Sequence, residues 1–337
     1  MKKLLLILSL LASLGLEAQN EGIYYYLPRT VIKLEVTLEE TQYHIGPYAE
    51  FASELLGTND YIKENKTVIR LKSVDIQSGS EPDPNASYFV DIDEKSKESV
   101  QNIILDNDGI IQAIGYSTLQ EGFAIEKTPI EYEMEIKPET TVSFIEIIED
   151  QEDKDEDDEE EGRKATKKSP KRDKALSAID KISKLRTAYY DLISGVNETN
   201  YGNTISYMAE NMERLENEYI SLFKGKKTTT TYKKYIYLKP NNNDANASIS
   251  CEKLENGEVL KVQFETKNIN DTPTTEATNK LSYRIPAQTT VTITSGKNVL
   301  ASKTLIISQF GVLKQISTKN NKIIFNPNTG QIISISK

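Results

Sequence analysis

The sequence predicts an α+β fold: two β-rich units, sandwich- or barrel-like, with an antiparallel helical hairpin between them and a disordered charged linker ahead of the hairpin. Three observations carry this expectation. Period-two alternation of apolar and polar residues recurs through the first and last thirds of the chain. Two neighbouring stretches with three-four spacing of apolar residues lie between them. A dense acidic block followed by a basic one separates the first strands from the helices. The expected boundaries are a signal peptide over 1–18, a β-rich domain with one short helix over 19–148, the linker over 149–173, the hairpin over 174–225 and a second β-rich domain over 226–337.

The N-terminus has the form of an export signal. Lys2 and Lys3 precede a run from Leu4 to Leu14 that is apolar except for Ser9 and Ser13, the length of a signal core and too short to span a bilayer. Leu16-Glu17-Ala18 supplies small-residue cleavage chemistry, leaving Gln19 first in the mature chain. The single cysteine, Cys251, is far from that point, so no lipid anchor forms there, and an exported chain with one cysteine has no internal disulfide. No later stretch is apolar enough for a membrane-spanning helix, so no transmembrane segment is expected in the mature chain. A formal net charge of −10 disfavours nucleic acid as a partner.

In the first third, Ile32, Leu34, Val36 and Leu38 alternate with Lys33, Glu35, Thr37 and Glu39, the pattern of a half-buried strand. Gly46-Pro47 opens a short helix with Tyr48, Phe51, Ala52 and Leu55 on one face and Gly57 as its stop. Strands follow at 68–76 and 88–92. Asn107-Asp108-Gly109 turns a hairpin between Ile103–Leu105 and Ile110–Ile114, and Ile130, Tyr132, Met134 and Ile136 alternate as another strand.

Between Glu146 and Glu161 there are 12 acidic residues, and between Arg163 and Lys174 there are 7 basic ones. Charge this dense cannot bury apolar surface, which argues for disorder. Asp153, Asp155 and Asp157 alternate like a calcium loop, but Asp158 stands where an EF-hand needs glycine and Lys164 where it needs glutamate. Then Ala175, Ile179, Ile182, Leu185 or Arg186, Tyr189 and Leu192 form the stripe of a first helix, and Ile205, Met208, Met212, Leu215, Tyr219 and Leu222 that of a second. The last third returns to short strands separated by Asn-, Gly- and Pro-rich turns. Its final hairpin, turning at Asn326–Gly330, echoes the one at 105–114, as two related β-units would.

Catalytic constellations are scarce. His44 is the sole histidine, and no Gly-x-Ser-x-Gly elbow accompanies it. Cys251 alternates with Ile249 on an apparent strand and suits a core position. One His and one Cys cannot make the usual zinc set, so no metal and no cofactor is expected. Lys224-Gly225-Lys226-Lys227-Thr228 has the tail of a phosphate loop without its first glycine. Tyrosine supplies the candidate interaction surface: Tyr24, Tyr25 and Tyr26 near the start, and Tyr189 and Tyr190 on the first helix. Leu27-Pro28-Arg29-Thr30 looks like a sortase signal, but Val31 replaces the required glycine.

Tyr25–Val31, Gly46–Ala49 through Leu55–Gly57, and Glu81-Pro82-Asp83-Pro84 resemble an uncharacterised family of exported proteins from Bacteroides-like bacteria. Leu192–Gly195 and Glu218–Lys226 resemble its helical hairpin, and Gln309–Val312 with Asn326–Gly330 its closing strands. The resemblance implies a Gram-negative envelope location, periplasmic or otherwise, and transfers no catalytic residue. The expected function is therefore non-catalytic: binding or scaffolding of an unknown envelope protein or polymer. The alternatives are a carboxylate-dependent hydrolase of an envelope or dietary polymer, and an assembly factor that docks a membrane protein through its hairpin.

Overall fold

The computed structural model describes residues 22–91, 102–119, 125–147, 170–195, 202–267, 280–317 and 321–337. The expected signal peptide, the linker up to residue 169 and the Asp153–Asp157 alternation lie outside them. The described residues are β-rich, with three sheets and a helical hairpin. In order, it forms β1 (Gly22–His44), a 3-10 turn running into the one-turn helix α1 (Ala52–Leu55), β2 (Lys66–Asp91), β3 (Ile103–Leu105) and β4 (Ile111–Ile114). Helices α2 (Pro170–Ser194) and α3 (Ile205–Lys224) follow. Strands β5 (Lys226–Leu238), β6 (Ser248–Lys253), β7 (Val259–Thr266), β8 (Lys280–Ser295), β9 (Asn298–Ser317), β10 (Lys322–Phe325) and β11 (Ile332–Ser336) complete the chain.

The compact units are not consecutive blocks of sequence. One comprises the described residues within Met1–Thr37, Lys72–Glu135 and Lys233–Lys337; the other comprises those within Leu38–Leu71 and Ile136–Tyr232. The N-terminal third is thus shared between them. Strands β1, β2 and β5 form a sheet of order β2-β1-β5, and each contributes residues to both units.

In the first unit, β6-β7-β8-β9 is an antiparallel meander. Its alternation is strict in β7, where Leu260, Val262 and Phe264 are buried while Lys261, Gln263 and Glu265 face water. Phe264 meets Phe310 of β9 edge-on at 5.2 Å. The two hairpins that look alike in sequence do not found separate units. They join in one sheet, β11-β10-β4-β3, through pairing of Ile323 with Ile114 and Ile324 with Ala113. The Asp106 carboxylate shapes the first of these turns by accepting from the amides of Asp108 and Ile110 at 2.9 and 2.8 Å, and Gly109 supplies its φ of +80°. A core of Tyr25, Leu27, Ile111, Ile114, Leu281, Ile323 and Phe325 packs beneath.

In the second unit, Arg186–Glu216 and Tyr189–Glu213 contacts at 2.7 and 2.9 Å fix α2 and α3 as antiparallel neighbours. Their base packs on Tyr48 and Ala52 through Ala175, Ala178, Ile182, Leu222 and Phe223. The loop after β1 completes the end of α3: the amides of Tyr48 and Ile62 donate to the carbonyls of Leu222 and Lys224 at 2.8 and 2.9 Å, satisfying acceptors that a helix C-terminus leaves open. Gly46 permits this approach, since a Cβ there would lie 2.3 Å from the Leu222 oxygen.

Candidate functional site

The short motifs of the first unit close on one another. Glu81 and Asp83 alternate with Pro82 and Pro84, which lack amide donors and hold extended backbone. Glu81 Oε1 accepts from Arg29 Nε at 2.7 Å and Lys239 Nζ at 2.8 Å, while Oε2 accepts from the Tyr132 hydroxyl at 2.6 Å. Asp83, 5% exposed, binds Arg284 at 2.7 Å, and Arg284 also donates to the Pro28 carbonyl at 3.0 Å. Buried Thr30 and Gln309 exchange two bonds of 2.8 Å, backbone against side-chain amide. Asn328, in the 326–330 turn, accepts from the Thr128 amide at 2.7 Å and donates to the Glu126 carbonyl at 2.9 Å.

Residues 125–135 form an extended strap joined to all three strands of the β2-β1-β5 sheet. At β2, the Ser80 amide donates to the Thr128 carbonyl at 2.8 Å. At β1, Lys33 pairs with Glu133. At β5, the Tyr237 hydroxyl accepts from the Glu133 amide at 2.6 Å and donates to the Glu131 carbonyl at 3.1 Å. The sequence expects a strand at 130–136 with its apolar side inward. The structure corrects both points: 130–147 form no strand, and Tyr132, Met134 and Ile136 are 53%, 85% and 80% exposed. Glu133 takes the sheet side, where it pairs with Lys33; the strap covers that ammonium, leaving Lys33 6% exposed and over the Tyr235 ring at 4.9 Å, and a covered charge requires a counter-charge. An open cleft of about 470 Å³ adjoins, lined by Lys33, Gln77, Ser78, Lys127, Pro129 and Glu131 among others.

The electrostatics are those of closed ion pairs. Burial works to raise Glu81, but hydrogen bonds from Lys239, Tyr132 and Arg29 outweigh it and hold the carboxyl below its ordinary range. The hydrogen bond from Lys33 lowers Glu133 and, reciprocally, raises Lys33. Burial works to lower Lys127, and its contacts with Asp106 and Asp108 overcome that and raise it. A carboxyl held low retains no proton at neutral pH, the reverse of what a general acid requires.

The tyrosines of the expected interaction surface divide. Tyr24 is 66% exposed and packs on Phe89, with ring centroids 4.9 Å apart. Tyr25 is not on the surface: it is 1% exposed, and its hydroxyl accepts from the Ser282 amide at 2.8 Å. Tyr26 and Tyr189 are half-buried, and Tyr190 is 64% exposed. Tyr24–Tyr26 belong to the first unit and Tyr189–Tyr190 to the second. His44 lies 3.2 Å from Gln42 Oε1. Cys251 is the extra residue of a bulge in β6, its Sγ donates to the Leu260 carbonyl at 3.3 Å, and burial pushes its pKa up to about 11. In the 224–228 stretch, Lys226 binds Glu218 at 2.6 Å and the Ser143 carbonyl at 2.8 Å rather than opening a phosphate loop. Among the described residues no group of three metal-ligating side chains converges, and no helix is long and apolar enough to cross a membrane.

Sequence reasoning missed the Arg29–Glu81–Lys239–Tyr132 cluster and the Lys33–Glu133 pair. The available signal was the proline-spaced pair Glu81 and Asp83, whose charges in rigid extended backbone needed cationic partners. Arg29 stands in the sequence within Tyr25–Val31 and its sortase-like tetrapeptide, and neither announces an ion pair.

No curated protein and no solved structure matches this chain. A family described as a domain of unknown function (DUF4831) matches residues 21–252. The match ends within β6, so Gln309–Val312 and Asn326–Gly330 lie beyond it. With more than half its length matched from β1 onward, the chain belongs to this family of unknown function.

Proposed function

We propose that this protein is exported to the envelope of a Gram-negative bacterium and acts there as a non-catalytic binding or scaffold protein, its helical hairpin being the working surface. One observation carries this reading. Among the described residues the large packed cluster of the hairpin lies at its base, and apart from buried Leu192 its outer half is a two-helix arm whose apolar residues remain accessible. Met208, Met212, Leu215 and Tyr219 are half-buried, and Tyr190, Ile193 and Tyr207 are 64%, 55% and 70% exposed. A groove of about 290 Å³ runs along it, lined by Lys181, Leu185, Ala188, Leu215 and Tyr219. Two helices alone bury little, and apolar residues grouped on such an arm mark a contact site. Glu81 and Glu133, both held low, are not the raised acid that a carboxylate hydrolase needs. The Lys2-Lys3 and leucine-run signature supports export.

The test is a photo-reactive residue placed at Tyr190 or Tyr207, with Lys261 on the exposed face of β7 as control. Irradiated cells should yield envelope adducts from the hairpin positions and none from the control. Adducts equal at all three positions, or none from the hairpin, would refute the reading. Mass determination of the mature N-terminus should find Gln19.

A further inference from the structure

We propose that the strap-covered face of the first unit is a binding site for an extended acidic peptide segment of a partner, and that residues 125–135 occupy it as an intramolecular stand-in. The proposal does not depend on the hairpin reading.

The face itself is aromatic and carries three cations, of which Arg29 and Lys239 are paired with Glu81 of β2 and Lys33 takes its carboxylate from the strap. Arg29 and Lys33 belong to β1, Tyr235 and Tyr237 to β5, and Lys239 follows the end of β5. Lys33 is almost wholly buried there and satisfied by a carboxylate from the strap, not from the sheet. Tyr237 offers its hydroxyl to strap backbone as both acceptor and donor, so it reads an extended chain irrespective of that chain's side chains. Lys239 lies 5.2 Å from the Tyr132 ring centre, and Tyr132 and Tyr237 stack at 4.6 Å. These contacts select an aromatic residue next to a carboxylate.

The strap has that chemistry. Glu131, Glu133 and Glu135 alternate with Tyr132 and Met134 in its sequence. It nonetheless sits as an imperfect occupant. Beyond its bridge to Ser80 it makes no strand ladder, and it leaves Met134 85% exposed. Over the stretch that Glu131–Glu135 fill, a segment with carboxylates at alternate positions and a polar outer side would keep the contacts to Lys33 and Tyr237 and would not expose that apolar side chain to water. Charge decides the chemistry at that position, because any segment that covers the Lys33 ammonium must bring it a carboxylate in place of Glu133.

The probe is a fluorescein-labelled peptide with the sequence of residues 128–139, read by anisotropy against the full-length protein. Glu133→Gln, a change at a side chain 43% exposed, loosens the native strap. This variant should bind the peptide roughly tenfold more tightly than the wild type does, as one lost charge-assisted contact predicts. Raising salt from about 0.1 to about 1 M, which shortens the screening length from roughly 10 to 3 Å, should weaken binding. Lys239→Gln in the Glu133→Gln background should reduce it, as should a peptide carrying Gln for each Glu. Tyr132→Phe provides an independent way to loosen the strap should Glu133→Gln not fold. If neither loosened variant binds, or the all-Gln peptide binds equally, the strap is structural and the proposal fails.

Discussion

Replacing Phe223 and Leu215 in turn by alanine distinguishes a hairpin anchored at its base from one packed throughout. Phe223 is fully buried and its ring lies 5.8 Å from that of Tyr48. Its truncation leaves an enclosed void and should cost about 3–5 kcal/mol. Leu215 is half-buried and borders the open groove. Three carbons removed at ~0.8 kcal/mol each, half of them already wetted, give about 1–1.5 kcal/mol, with no cavity term because water enters the groove. Guanidinium denaturation followed at 222 nm, where the helices dominate the signal, measures both. A chain of two compact units need not unfold in one step, so the helical transition is the relevant one. Leu215→Ala as costly as Phe223→Ala would mean that the free protein already covers the arm. Its cost would then depend on protein concentration, and the proposed working surface would be an interface between copies.

Two further perturbations test the first unit. Because Glu81 is held below its ordinary value of 4.5, its ion pairs contribute stability above that pH, and the contribution is lost as pH falls through the lowered value. Wild type should thus lose its advantage over Glu81→Gln in urea melts as pH drops below about 4.5, and parallel pH profiles would show that the cluster contributes nothing. With its pKa pushed up to about 11, Cys251 should react slowly with a neutral-pH thiol reagent in native protein and rapidly once unfolded; equal rates would show the β6 bulge to be open.

Local pattern was legible in the sequence; the partners across the fold were not. The hairpin stripes appear as read because three-four spacing is a property of the helix itself. Only the first turn was missed: Pro170 begins α2 within what charge alone assigned to the linker, proline being favoured at a first helical position. The strap shows the limit of periodicity. Alternation at Ile130–Ile136 signals extended backbone but not which side faces in, and Lys33, 100 residues from Glu133, reverses the usual choice. Lys33 itself reads as solvent-facing in its strand and is buried because the strap covers it. The discontinuous units were invisible for the same reason, since β1, β2 and β5 look like separate consecutive strands until they pair. Tyr25 reads as surface because nothing near it in sequence announces Ser282.

The extent of the family match raises a question about the folding unit. Residues 21–252 include Tyr25, Thr30, Ser80 and Asp83, all buried. Their partners Ser282, Gln309, Asn328 and Arg284 lie beyond residue 252. Cut at 252, the chain would keep these polar groups without their counterparts and would also lose β7–β9, whose Leu260, Val262, Phe264, Val291 and Ile293 make the buried side of their sheet. Ser80 keeps its bond to the Thr128 carbonyl; each of the other three groups, left buried without its partner, costs about 1–3 kcal/mol, so Tyr25, Thr30 and Asp83 amount to roughly 3–9 kcal/mol, comparable with the whole stability of a domain at about 5–15 kcal/mol. With no disulfide to compensate, the matched segment should not fold by itself. A fragment of residues 19–252 should show no cooperative melt, and adding residues 253–337 as a separate chain should restore one. Cooperative unfolding of the fragment alone would mean that the long-range bonds are accessory, and that β7–β11 are an appendage to an autonomous family domain rather than half of its core.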